Sequence, residues 1–356
     1  MKLADQHAPQ THSAPARRRY GATALVSGAL IAAAALAVAG CSSGGNADSV
    51  ALSADSGNSA QLSTNLAGNY QIVELNDTHD LTFNQLLGIN DQGIIAGYFG
   101  SGAAGHPNKG YALVAPFAQR DFLTENFPGS AQTQVTGLND HGVTVGFWST
   151  QNNASMTNNN FGFYWLNGRF HNVNFPTNDN ANPPVNQLLG VNNSGIAVGF
   201  YTNSGGLNRG YEYDIRTNRF LRVEVPGNFH GTAGPSLTAA AINNFGDVAG
   251  FYNKTSAVVD AFLRLHTGTF ITLAYPGATM TQAFGVNDSD EVVGTYTTGT
   301  GNAAVTHGFT WHAGTYASVN IHGASSTAVN GVNDEGDLVG FFTDAKGNTD
   351  GLLALP

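Results

Sequence analysis

The sequence predicts an all-β chain: a six-bladed β-propeller of four-stranded blades, closed by an N-terminal strand that pairs with the last blade. Three observations predict it. One short phrase recurs six times, each repeat holds four short strand signals, and a spare strand stands at the front while the last repeat is one strand short.

The phrase reads Gly88-Ile89-Asn90-Asp91-Gln92-Gly93 and runs on to Gly97-Tyr98. Its other copies place Asn139, Asn192, Asn243, Asn287 and Asn333 at the same point, in steps of 44 to 53 residues. Periods of this size belong to propellers, solenoids or arrays. The Asn-Asp-X-Gly core predicts a tight hairpin in which a side chain caps the turn and glycine takes positive φ. The fifth copy has Asp290 in place of that glycine, which predicts a slightly strained turn.

The first strand of each repeat ends in small-aliphatic-Asn, and the second is a nearly continuous apolar run such as residues 195–201. Continuous apolar strands suit a sheet covered on both faces. Third strands begin at Gly110, Gly162, Gly210, Ala261, Gly308 and Gly351. Fourth strands are expected at 122–128, 170–176, 220–226, 270–276 and 316–322, and four of them end in Pro, as edge strands do. The sixth has none, because the sequence stops at Pro356. The run 70–75 supplies one, and pairing it with the last three strands would close the ring and remove an exposed edge.

The Asn-Asp-X-Gly turn, the Gly-aromatic that follows it, and His307-Gly308-Phe309-Thr310-Trp311 or Asp260-Ala261-Phe262-Leu263 resemble the HAF-type extracellular repeat, over about residues 70–356. The sequence departs from that pattern at the His position, where Lys109, Phe161, Arg209, Asp260 and Asp350 stand in the other copies. Such variation argues against a shared metal or catalytic role there. The resemblance implies a secreted or surface repeat protein and no established reaction.

Residues 1–40 are read as a lipoprotein-type signal peptide. Arg17-Arg18-Arg19 precede an apolar Ala-rich stretch ending in Val38-Ala39-Gly40-Cys41, which resembles a bacterial lipobox and makes Cys41 the lipidation site. An uncleaved membrane anchor is the alternative, and Arg17-Arg18-Arg19-Tyr20 also resembles a weak twin-Arg signal. Either reading puts the chain in the bacterial cell envelope, on the extracytoplasmic side at the outer membrane or cell surface. Residues 41–69, rich in Ser, Gly, Ala and Asn, read as a flexible tether, and 70–356 as the propeller. Cys41 is the only cysteine, so no disulfide is expected. With 14 Lys and Arg against 24 Asp and Glu, and no basic run after Arg19, a nucleic-acid partner is not expected.

In an up-and-down blade the connections alternate between two faces. One face would carry the tight turns. The other would carry the variable loops 100–108, 149–160, 178–186, 202–208 and 227–236, where binding is expected. Those loops are rich in Asn, Ser, Thr and Gly, with Tyr98, Trp148, Tyr201, Tyr252 and Tyr296 just before them. Amides, hydroxyls and aromatic faces together suit a polysaccharide or a protein ligand, unless the rings simply pack between blades.

Other chemistries have thinner support. Calcium loops concentrate several carboxylates, whereas the turn acids Asp91, Asp140, Asp288 and Asp334 give way to Asn193 and Asn244 in two copies, so no metal is expected and the turns read as structural. No cofactor motif is read. The densest titratable group is Asp77, His79 and Asp80, while Asp179, His106 and His230 are each expected to stand alone in separate loops. The leading expectation is a non-catalytic binding or interaction module. Its alternatives are a carbohydrate-active enzyme, a glycosidase or lyase with acids at the channel mouth, and a structural envelope component.

Overall fold

The computed structural model describes residues 70–152, 158–226, 235–255 and 257–356. The signal peptide, Cys41, the tether and His230 lie outside the described residues. Within them the chain is all-β: four four-stranded antiparallel sheets and one eight-stranded sheet.

Each repeat folds as a meander. In the first, Asn84–Ile89, Ile95–Phe99, Lys109–Leu113 and Phe122–Thr124 pair in that order. The second and third repeats run Gln132–Leu138 to Arg169–Val173 and Asn186–Val191 to Arg219–Arg222 in the same way. The fourth and fifth repeats share the eight-stranded sheet, joined by one parallel pair between Val259 and Met280. The last sheet contains Ser326–Val332, Leu338–Thr343 and Thr349–Leu355, and its fourth member is the N-terminal strand Gln71–Glu74. The spare strand therefore lies where the strand count put it, with Gln71 opposite Leu355 and Glu74 opposite Leu352.

The fourth strands are shorter than the apolar alternation predicted. They end at Thr124, Val173, Arg222, Leu273 and Val319, several residues before each expected terminus. In two repeats a side chain takes over from the backbone ladder: Asn126 and Asn174 accept the N–H of Gly110 and Gly162.

The hairpins behave as their residues require. Asn90 Oδ1 accepts the N–H of Gln92 at 3.1 Å and of Ile94 at 2.9 Å, and Gly93 sits at φ 71°. Asp290 holds the matching position in the fifth copy at φ 59°, the conformation that the other copies reserve for glycine.

Each first strand carries a bulge at the same point, between Leu86 and Gly88 in the first repeat and next to the corresponding glycine in the others except the fourth, where Ala241 takes its place. A Cβ on Gly88 would lie 3.1 Å from the Cα of Gly137, one on Gly137 3.0 Å from that of Gly190, and one on Gly331 3.1 Å from that of Gly88. Neighbouring repeats therefore approach backbone to backbone, and the last approaches the first as closely as the others do. Apolar clusters follow the same order. Phe163 packs with Ala96 and Val135, Tyr211 with Val145 and Leu188, and Leu86 and Tyr111 with Val339 and Leu353 of the last repeat.

Candidate functional site

The recurrent asparagines do more than cap turns. Each donates its side-chain amide to the backbone carbonyl of the next: Asn90 to Asn139 at 3.1 Å, Asn139 to Asn192 at 2.9 Å, Asn192 to Asn243 at 3.0 Å, and Asn243 to Asn287 and Asn287 to Asn333 at 3.1 Å. Asn333 then donates to Asn90 at 3.3 Å, so the circuit returns to its start. A second circuit lies beside it. The N–H of Asp91 donates to Asp140, Asp140 to Asn193, Asn193 to Asn244, Asn244 to Asp288, Asp288 to Asp334 and Asp334 to Asp91, at 2.7 to 3.0 Å.

These turns enclose a cavity of about 70 Å³ lined by Asn90, Asp91 and their counterparts in all six copies. Asp288, Asp334, Asp91 and Asp140 follow one another around it. Asn193 and Asn244 fill the remaining arc, each donating its amide to a neighbouring carboxylate. Asp91, between Asp334 and Asp140, is pushed up to about 6, first by loss of solvent and then by the charges of Asp334, Asp140 and Asp288. Asp334 is raised for the same reasons. The carboxylates thus link turn to turn through backbone N–H groups. Sequence reasoning missed this role; the signal was an Asn invariant in all six copies beside a position that alternates Asp with Asn.

On the opposite side, the connection after the N-terminal strand is built around two buried carboxylates. Asp77 accepts the N–H of His79 at 2.9 Å, His79 Nδ1 at 2.5 Å and Gln119 Nε2 at 2.8 Å. Asp80 accepts the N–H and hydroxyl of Thr82 and lies 2.7 Å from His106 Nδ1. Asn84 ties the two together, accepting from Asp77 N–H and donating to the Asp80 carbonyl. The hydrogen bonds from Thr82 and His106 outweigh burial and hold Asp80 below the usual carboxylate range. His106 is therefore not isolated, because the loop 100–108 folds back onto Asp80. Nor is Asp179, which accepts from Ser204 of the neighbouring loop. His79 and His106 remain largely exposed, with Nδ1 of each against its carboxylate.

The five aromatics stand inside the fold. Tyr98, Tyr201, Tyr252 and Tyr296 are buried, and Trp148 is half-buried. Tyr296 stacks on Tyr275 at 3.6 Å between ring centres, with His307 as a second stacked neighbour, and Trp148 stacks on Phe127 at 4.3 Å and meets Phe161. Tyr201 stacks on Phe175, while Tyr98 and Tyr252 pack against Phe83 and Phe270 at an angle. Protein rings thus occupy faces that a sugar would need. Their place at the end of a continuously apolar strand accounts for the burial.

No known family's sequence profile matches the chain, and no curated protein matches it. Similar solved structures include a polysaccharide lyase described as an ulvan lyase, 12% identical over 77% of this chain and 78% of that one, with a TM-score of 0.41. A mutant of AofleA from Arthrobotrys oligospora is 12% identical over 80% and 86%, TM-score 0.47. A mutant Aleuria aurantia lectin in complex with Fucalpha1-6GlcNAc is 10% identical over 77% and 95%, TM-score 0.45. The sugars named belong to those proteins.

Proposed function

We propose that residues 70–356 form a closed six-bladed β-propeller, tethered to the bacterial envelope through lipid on Cys41, that binds a polysaccharide or protein partner with its loop-rich face. The observation that carries this reading is how the loops of that face are fixed. Asp77, Asp80 and Asp179 are each bonded to donors of their own or a neighbouring loop, so these carboxylates hold the loops in place rather than project as an acid pair. Rigid loops rich in amides and hydroxyls on a rigid scaffold suit recognition. The two returning hydrogen-bond circuits and the pairing of Gln71–Glu74 with Thr349–Leu355 support the closed ring. The likeness to HAF-type repeats and the lipobox-like Val38-Ala39-Gly40-Cys41 support the envelope location.

With the four tyrosines packed inside, contact falls to the polar loop groups and to the half-buried Trp148, whose Nε1 donates to Asn172 at 3.0 Å. The test is a glycan array and an envelope-protein pull-down with the soluble chain from residue 69. A ligand should be captured, and capture should be lost when loops 100–108 and 202–208 are replaced by short Gly-Ser turns. Binding that survives both replacements overturns the face assignment.

A further inference from the structure

Positive charge is sparse along the repeats and gathers in one of them. Arg209, Arg216, Arg219 and Arg222 all belong to the third repeat, on the paired strands Asn208–Asp214 and Arg219–Arg222 and the turn between them, whereas no other repeat has more than two Lys or Arg. Two of the four are already engaged. Arg209 gives Nη1 to the Pro235 carbonyl at 3.2 Å, and Arg216 Nε lies 3.7 Å from Asp214. Glu212, another acid of this strand pair, is bonded to Arg264 of the next repeat. Among the described residues no acid forms an ion pair with Arg219 or Arg222, not even Glu224 two residues on.

Arg222 is also held in place by the protein. Its guanidinium carbon lies 5.4 Å from the Phe175 ring centre and 5.9 Å from that of Tyr201, and Nη2 donates to the Tyr201 hydroxyl at 3.1 Å. The repeats supply an internal control. In the first, second, fourth and fifth the same register position holds Thr124, Asn172, Thr272 and Ser318. Asn172 accepts from Trp148 Nε1, while Thr272 and Ser318 share a hydrogen bond with the hydroxyls of Tyr252 and Tyr296. A short amide or hydroxyl side chain is therefore enough to tie the ring. A guanidinium carries five N–H donors, so the exposed Arg222 makes the same tie and keeps donors for something else.

Arg222 ends its strand at the edge of the loop-rich face, where Tyr201 leads into loop 202–208 and Phe175 precedes loop 178–186. Exposed Ser204, Asn178 and Asn180 on those loops add a hydroxyl and amides suited to sugar hydroxyls, which favours a polysaccharide over an acidic protein. A planar guanidinium stacked on rings and free of an acid matches the paired oxygens of a carboxylate or sulfate. We propose that Arg222 is the anion-binding group of the loop-rich face, taking a carboxylate or sulfate of an acidic polysaccharide; the site presupposes the binding role given to that face above. The chain's net charge of −10 repels a polyanion elsewhere, which confines the contact to the third repeat.

Binding of the full chain to immobilised polygalacturonate, dextran sulfate and uncharged dextran tests this. At least one charged polymer should be bound and dextran should not, and the polymer that binds tells carboxylate from sulfate. Arg222→Thr, the residue found at this position in two other repeats, should weaken binding at least tenfold with an unchanged melting midpoint. Arg222→Lys, which keeps the charge without the fork, should fall between the two, and Arg219→Gln should stay within twofold of the parent chain. Equal affinity of the parent chain and Arg222→Thr overturns the site, as does an equal loss in Arg219→Gln. Capture of neutral glycans or proteins alone overturns the anion site and leaves the binding role of the face standing, whereas a chain that captures nothing removes both.

Discussion

Asn333 donates its side-chain amide to the backbone carbonyl of Asn90, 243 residues earlier in the chain. The same asparagine accepts the N–H of Glu335 and of Asp337 in its own turn. One buried side chain therefore fixes a hairpin and joins the last repeat to the first. Asn333→Ala should lower stability by about 2–3 kcal/mol, because buried donors and acceptors lose their partners. Asn333→Asp keeps the two acceptor contacts but loses the donations to the Asn90 carbonyl and to Asp337 Oδ2 and sets its carboxylate beside that of Asp337, so it should cost at least as much, about 2–3 kcal/mol. Equilibrium denaturation measures both variants. A loss well below that for either would mean that the bonds of Asn333 do not hold the turn and the link between repeats.

Asp290 gives a prediction of opposite sign. At φ 59° it occupies a region that disfavours L side chains, and its carboxyl is raised by desolvation and by the charge of Asp247. Asp290→Gly restores the residue found in the other five copies and should raise stability by about 0.5–1 kcal/mol. A lower melting midpoint would show that the carboxyl has a stabilising contact outweighing its backbone strain.

Strand order, turn chemistry and the pairing of the first strand with the last were legible because each depends on local residues or on a count. Gly93 and its counterparts announce positive φ, and the missing sixth fourth-strand announces residues 70–75. The contacts between repeats were not legible in the same way. Asn90 looks in sequence like any turn cap, and its bond to Asn139 depends on how two sheets approach. The Asp80–His106 contact is likewise invisible, since a loop that folds back over 26 residues leaves no periodic trace. The aromatics mislead for a related reason: Tyr98 and its counterparts stand before polar loops in sequence, yet each packs against another ring of the protein.

Gly199 tests the packing of the second strands. A Cβ there would lie 2.0 Å from the backbone carbonyl oxygen of Gln187 on the paired first strand, closer than real Cβ contacts come. Gly199→Val must separate the two strands, with destabilisation of at least 1–3 kcal/mol. Gly205→Val is the control: the nearest atom to its Cβ is a side-chain oxygen of Asn203 at 3.4 Å, so its effect should be small. An unchanged melting midpoint for Gly199→Val would refute the strand pairing.

Glu125 makes global stability depend on pH in a direction that can be worked out. It is 9% exposed, between the first and second repeats, and Thr144 donates its hydroxyl to the carboxyl. Burial pushes it up to about 7 from an ordinary 4.5, although the hydrogen bond from Thr144 opposes the rise. The folded chain therefore holds a proton that the unfolded chain has already released. That contribution is complete below the ordinary value and is lost as pH rises through about 7, at most about 3 kcal/mol for the full shift. Denaturation midpoints should fall between pH 5 and 8, and Glu125→Gln, which stays neutral throughout, should flatten that part of the curve. Asp91, raised to about 6, and Asp350, raised to about 8, act in the same direction, so Glu125→Gln should reduce the fall near pH 7 without abolishing it, and adding Asp350→Asn should reduce the part that remains above pH 7. A curve that rises with pH over this range would mean that Glu125 is charged in the folded chain and has a cationic partner.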